Sequence, residues 1–179
     1  HGEIRPSAFV SDTAGNLRLA PPAPAEAHSP DRLRHMSPEQ AGRLRHIDAR
    51  ADLYALGVVY YEQLTAQRVF DSNDALELAH SQMAIVPPPP LQVAEGVPAL
   101  LSALVMKLLA KSPHARYASA EGLLHDLRTW RQGWLDSGEW PVFELGQGDR
   151  GSQFLLPDKL YGRETEIANR RASIDVVLA

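Results

Sequence analysis

Cysteine is absent from the sequence, which excludes a disulfide framework and any thiolate metal site and fits a reducing compartment. Positive charge is sparse as well. Eighteen Lys and Arg against 22 Asp and Glu leave a formal net charge of -4, and the cations are scattered along the chain rather than clustered. That balance offers no cationic face to a phosphate backbone or an anionic bilayer, so neither nucleic acid nor a membrane is expected as a partner. No apolar run reaches the roughly 18 residues that a bilayer-spanning helix needs, and the N-terminus lacks the charged-then-apolar order of a secretory signal. Internal repeats of roughly 20 to 50 residues are missing too, which excludes a solenoid. The text opens on His1 rather than Met and is read as part of a longer, cytoplasmic protein.

What is present suffices for one sizeable core, since 44% of the residues are hydrophobic and 22% charged. The short runs AFVS and LRLA flank DTAGN, in which Gly15 can take a positive φ, and together they predict a β-hairpin. Residues 21–30 are broken by prolines and form a loop. Residues 51–66, ADLYALGVVYYEQLTA, are apolar on nearly every side, which for a helix means burial all round. A second helix follows in SNDALELAHSQMA, capped by Ser72 or Asn73 with Asp74 at its positive end. The four prolines 87–90 force an extended stretch.

VPALLSALVMKLLAKS then carries Leu100, Leu104, Leu108 and Leu101, Val105, Leu109 at helical spacing, with Pro98 in the first turn. The last strong helix is ASAEGLLHDLRTWRQGW, with Ser119 as cap and Leu123, Leu124, Leu127 and Trp130 as its buried stripe. The fold class is mainly α, with a short hairpin at the start. Periodicity fades from Asp136 onward.

Four separated segments carry motifs in a consistent order. HGEIRPSA at the start resembles the H-R-D-L-K-P-x-N catalytic loop of protein kinases. MSPEQAGR has Ser37, Pro38 and Glu39 on the A-P-E positions that close a kinase activation segment. ARADLYALG has Asp52 and Gly57 on the ends of D-x-x-x-L-G, and KSPHARYASA has Arg116 on the arginine of K-x-P-x-x-R-x-S-A. Over about residues 1–131 the sequence is therefore similar to the C-terminal lobe of serine/threonine protein kinases, of the kind found in large bacterial kinase–ATPase–histidine kinase signalling proteins.

The resemblance implies a scaffold whose ties are kept. Glu39 would pair with Arg116, joining the activation segment to the last helices, and Asp52 would accept backbone N–H groups of the opening loop. It implies equally that the chemistry is altered. Glu3 stands where the catalytic aspartate belongs, one methylene longer and so displaced by about 1 Å, which can cost about 100-fold in rate. Arg5 replaces the usual lysine, keeping its charge and not its compact shape. Ala8 replaces the asparagine that would hold one Mg²⁺, and Pro21, Pro22 and Ala23 fall on the D-F-G positions. The nearest later acid, Glu26, has no Phe-Gly after it. Gly2 removes the arginine that receives a phosphorylated activation loop in many kinases.

The expectation is a degenerate kinase domain acting as a regulatory or scaffold module, without a cofactor in this stretch. The alternative is part of an active kinase with Glu3 as base, in which ATP and Mg²⁺ enter through the complete protein; a third reading is a truncated product with no function of its own. Residues 1–135 are read as the lobe, 136–157 as a linker, and 158–179 as the start of a further domain. FLLPDKLYGRETEI resembles the entry to the ATPase domain of those signalling proteins, whose phosphate loop would come downstream. The expected partners are the kinase N-lobe and that ATPase domain of the same protein, with other proteins beyond them. His28, His35 and His46 match no common metal-ligand spacing, the four prolines read as a loop between lobe helices, and Ser29 and Ser37 lie near no charge cluster that would read a phosphate.

Overall fold

The computed structural model describes residues 2, 4–21, 30–42 and 47–149. A 3-10 turn, Pro6–Ala8, leads into strand β1 (Phe9–Ser11), which pairs antiparallel with β2 (Leu17–Leu19), Phe9 lying opposite Leu19 and Ser11 opposite Leu17. Asp12 organises the turn between them: its carboxylate accepts the N–H groups of Ala14 at 3.0 Å and Asn16 at 2.9 Å, and Gly15 takes φ +81°. The ladder runs one step further, where the Ala20 N–H donates to the Ala8 carbonyl at 2.8 Å.

Helices follow without further strands among the described residues: α1 (Pro30–Arg34), α2 (Pro38–Ala41), α3 (Arg50–Thr65), α4 (Ala75–Ala84), α5 (Pro90–Val93), α6 (Ala99–Leu108) and α7 (Ala120–Ser137). The mainly helical architecture with a hairpin at its start is the one the sequence indicates. Helix α3 is the central post, with Leu53, Tyr54, Val58 and Tyr61 all buried. Tyr54, Val58 and Tyr61 pack with Val69, Val105 and Leu109, while Leu53 packs with Leu104, Leu108, Tyr117 and Leu123. The two clusters meet across α6, and Gly57 permits the approach: a Cβ there would lie 2.7 Å from the Leu108 Cβ.

Local details differ from the sequence reading in four places. The cap of α4 is Asp74, whose carboxylate accepts the Leu76 N–H at 2.8 Å. Ser72 stands two residues back, accepting the Asp74 N–H and donating to Glu77; the carboxylate, charged and closer to the helix's positive end, wins the cap. Asp74→Ala should therefore lower the unfolding free energy by about 1 kcal/mol, whereas Asn73→Ala should leave it within about 0.5 kcal/mol, as read from urea midpoints.

The prolines 87–90 are not extended throughout, because Pro90 opens α5. Pro87 and Pro90 are buried; one polyproline turn apart, they turn the same face into the lobe's own interior. Pro98 is the N-cap of α6 rather than part of its first turn. On α7, Ser119 does cap the helix, its Oγ accepting the Gly122 N–H at 3.0 Å. Leu123 is buried, but Leu124 is 44% exposed. The helix is rotated so that Asp126 faces inward, accepting the Tyr117 hydroxyl and the Gly146 N–H, each at 2.7 Å. The chain then reverses at Gly138, φ +70°, and Trp140 stacks between Trp130 and Trp134 at centroid distances of 4.7 and 4.2 Å. Residues 138–149 thus form a strap along α7.

Candidate functional site

The short helix α2 exists because Ser37 and Gln40 form a capping box, and this box sets Glu39 in the first turn with its side chain inward. Arg116 arrives from the other end of the lobe, just after the 3-10 turn Pro113–Ala115. Its guanidinium holds Glu39 in a fork, Nη1 to Oε1 at 2.7 Å and Nη2 to Oε2 at 2.8 Å. The remaining donations go to main-chain carbonyls: Nε to Ala110 at 2.8 Å, Nη1 also to Arg50 at 2.9 Å, and Nη2 also to Lys111 at 3.1 Å. All five donors of the guanidinium are used. Its plane lies over the Tyr54 ring, 4.9 Å from the centroid. Arg116 is 3% exposed and Glu39 4%. Burial is the largest single effect and opposes ionisation of Glu39, yet the Arg116 fork and charge, the residue's own N–H and the Ser37 hydroxyl together hold the carboxyl below the ordinary range.

Asp52, in the first turn of α3, reaches back to the chain's start, its Oδ1 accepting the Gly2 N–H at 2.8 Å. Gly2 takes φ +81° there, a conformation glycine adopts without the penalty a side chain incurs. Between this loop and the helices lies a crevice of about 20 Å³ bordered by Ile4, Arg5, Arg32, Met36 and Asp52, room for a single water. Arg5 is half-buried on its wall.

The hairpin register decides the geometry of the altered positions. Ala8 ends the 3-10 turn with its side chain buried, and Pro21 directly follows Ala20, whose N–H is bonded to the Ala8 carbonyl. The two positions at which the resemblance puts Mg²⁺ ligands are therefore neighbours. They carry a methyl group and a pyrrolidine ring. A hard cation takes oxygen ligands, and neither side chain supplies one, so these residues do not fit the ion. Among the described residues, no group of three or more His, Asp or Glu is arranged to hold a metal. Glu3, Pro22, Ala23, Glu26, His28, Ser29 and His46 lie outside the described residues, as do residues 158–179. His35 is buried, its Nε2 3.5 Å from a Glu62 carboxylate oxygen.

A polar network beside the tether escaped the sequence reading. Lys111 Nζ donates to the Gln82 carbonyl at 2.9 Å, the Tyr54 hydroxyl at 3.2 Å and the Ser81 carbonyl at 3.3 Å, and sits 4.9 Å from the centroid of the Phe70 ring. The Tyr54 hydroxyl donates to Gln82 Oε1 at 2.6 Å, and Gln82 Nε2 donates to the Arg34 carbonyl at 2.5 Å. The signal available was the lysine of K-x-P-x-x-R, read only for its arginine.

Burial, aided by repulsion from Arg116, pushes Lys111 down to about 8. The unfolded lysine keeps its proton until about pH 10.4, so between those values unfolding takes up a proton and stability rises with pH. Tyr54, Tyr60, Tyr61 and Tyr117 are pushed upward, chiefly by burial, which lowers stability only where an unfolded tyrosine ionises, near pH 10. From pH 8 to about 9.5, the unaltered chain should gain stability relative to Lys111→Met, as measured by urea unfolding at each pH.

Comparison with known proteins follows the same outline. The chain is 46% identical over 154 residues to hybrid signal transduction histidine kinase G of Dictyostelium discoideum, covering 74% of this chain and 4% of that protein. It is 42% identical over 93 residues to serine/threonine-protein kinase PknB of Mycobacterium leprae, covering 52% and 15%. It is 30% identical over 164 residues to tyrosine-protein kinase MasK of Myxococcus xanthus, covering 86% and 25%. The chain spans 25% or less of the length of these three relatives. No protein-family model matches it. A helical lobe with an opening hairpin and similarity to protein kinases over most of the chain together support a kinase-like domain with the character of a C-terminal lobe.

Proposed function

We propose that the domain is a regulatory or scaffold element of a bacterial signalling protein, a kinase-like lobe that keeps its shape and has lost phosphate transfer. The observation that carries this reading is the pairing of Ala8 with Ala20 next to Pro21. Kinase catalysis consists largely of positioning phosphates with metal ions beside a base, and neither Ala8 nor Pro21 has a side-chain oxygen to offer. The ties among Glu39, Arg116, Asp52 and Gly2 support a scaffold that stays ordered. A role in signalling is supported by similarity to a protein named as a signal transduction histidine kinase.

In this reading the partners are an N-lobe and an ATPase-type domain of the same protein, in the cytoplasm. No helix among the described residues is long and apolar enough to cross a membrane. The test is full-length protein incubated with ATP, with and without Mg²⁺. The expected result is no Mg²⁺-dependent thermal shift and no phosphate on protein hydroxyls. Phosphate transfer that Glu3→Ala abolishes would replace this reading with that of a working kinase.

A further inference from the structure

Four consecutive residues leading into α7 hold both ends of the lobe. Arg116 grips Glu39 on the activation-segment side. Its neighbours grip the strap. The Tyr117 hydroxyl donates to Asp126 Oδ2, which also accepts the Gly146 N–H. The Ala118 N–H donates to Asp149 Oδ2 at 2.5 Å, and Ser119 donates to Asp149 Oδ1 through its N–H at 3.2 Å and its Oγ at 3.0 Å. Asp149 therefore sits at the positive end of an 18-residue helix whose own cap, Ser119, it holds.

The strap is fitted closely. Side chains on the helix at 122 and 133 would collide with Asp149 and Pro141, and both positions are glycine. Glycine inside a helix costs roughly 1 kcal/mol relative to alanine, a cost that the close approach of the strap accounts for.

We infer that residues 116–119 are a junction that couples the seating of the strap to the Glu39–Arg116 tether. The physical basis is shared backbone. Lifting Asp149 off α7 strips the N–H groups of Ala118 and Ser119 of their acceptors and leaves the Asp126 carboxylate without its Gly146 donor. The segment that must then rearrange is the one that aims the Arg116 fork. A break at Glu39 frees the same backbone from the opposite side, so the effect runs both ways. The chain continues from the strap past residue 149, so anything that orders or pulls the residues beyond it acts on this junction.

The experiment is a double-mutant cycle on the full 179-residue chain, with Glu39→Gln and Asp149→Asn made singly and together and unfolding by urea followed by far-ultraviolet circular dichroism. Coupling predicts that the unfolding equilibrium constant of the double variant differs by about threefold or more from the product of the single effects. Agreement closer than that overturns the inference. Should the double variant not fold, hydrogen exchange of the unaltered chain decides instead. The amides of Ala41 and Gly42 should open together with those of Ala118 and Ser119, with one shared urea dependence; two independent openings overturn it.

Discussion

Arg116→Ala should lower the unfolding free energy by about 3–5 kcal/mol, because it leaves the Glu39 carboxylate buried without its partner. Against a total stability of about 5–15 kcal/mol for an ordinary domain, that is enough to leave a substantial fraction of the chain unfolded at 37 °C. The loss exceeds that of one ion pair, since three main-chain carbonyls at Ala110, Arg50 and Lys111 lose their donor as well. Arg116→Lys should recover only part of it: an ammonium supplies the charge but cannot span both carboxylate oxygens and the three carbonyls. The pH dependence has a defined sign. With Glu39 held below the ordinary carboxylate range, its contribution is fully present above about pH 4.3 and is lost as pH falls through the folded value. Urea midpoints of the unaltered chain and Arg116→Ala should accordingly converge on acidification.

Gly57→Ala is expected to destabilise despite improving helix propensity. Alanine is favoured over glycine in a helix by about 1 kcal/mol, but the added Cβ would stand 2.7 Å from the Leu108 Cβ and 3.3 Å from Leu109 Cδ2. Overpacking of this kind costs about 1–3 kcal/mol, which after the propensity gain of about 1 kcal/mol leaves a net loss of up to about 2 kcal/mol. The colliding atom sharpens the test. Leu108→Ala keeps its Cβ, so combining it with Gly57→Ala should give no relief at the closest contact, and the double variant should be less stable than either single one. A stabilised Gly57→Ala variant in thermal or urea unfolding would mean that α3 and α6 stand further apart than the structure has them.

The features legible in the sequence were those set by local or one-dimensional rules. Residues 51–66 could hardly be anything but a buried helix, and DTAGN between two short apolar runs specified its turn through Asp12 and Gly15. The candidate site was legible only through motifs, because Glu39 and Arg116 are 77 residues apart and nothing in either segment alone says that they meet. Where the reading missed, a tertiary contact decided. Leu124 and Asp126 exchange the roles that periodicity assigns, since Tyr117 and Gly146 offer the carboxylate two donors inside. The strap was legible only as a linker, for a related reason: it has little internal periodicity, and its fit shows only where Pro141 and Asp149 lie against the glycines of α7.

The stack of indoles has a practical consequence. The chain has three tryptophans, and Trp130, Trp134 and Trp140 all belong to it. Tryptophan fluorescence and the indole bands of the near-ultraviolet dichroism therefore report from one corner of the lobe. They would register Trp140 swinging away while the hairpin stayed silent, so an optical transition seen there measures peeling of the strap and says nothing about the loop that begins at Gly2.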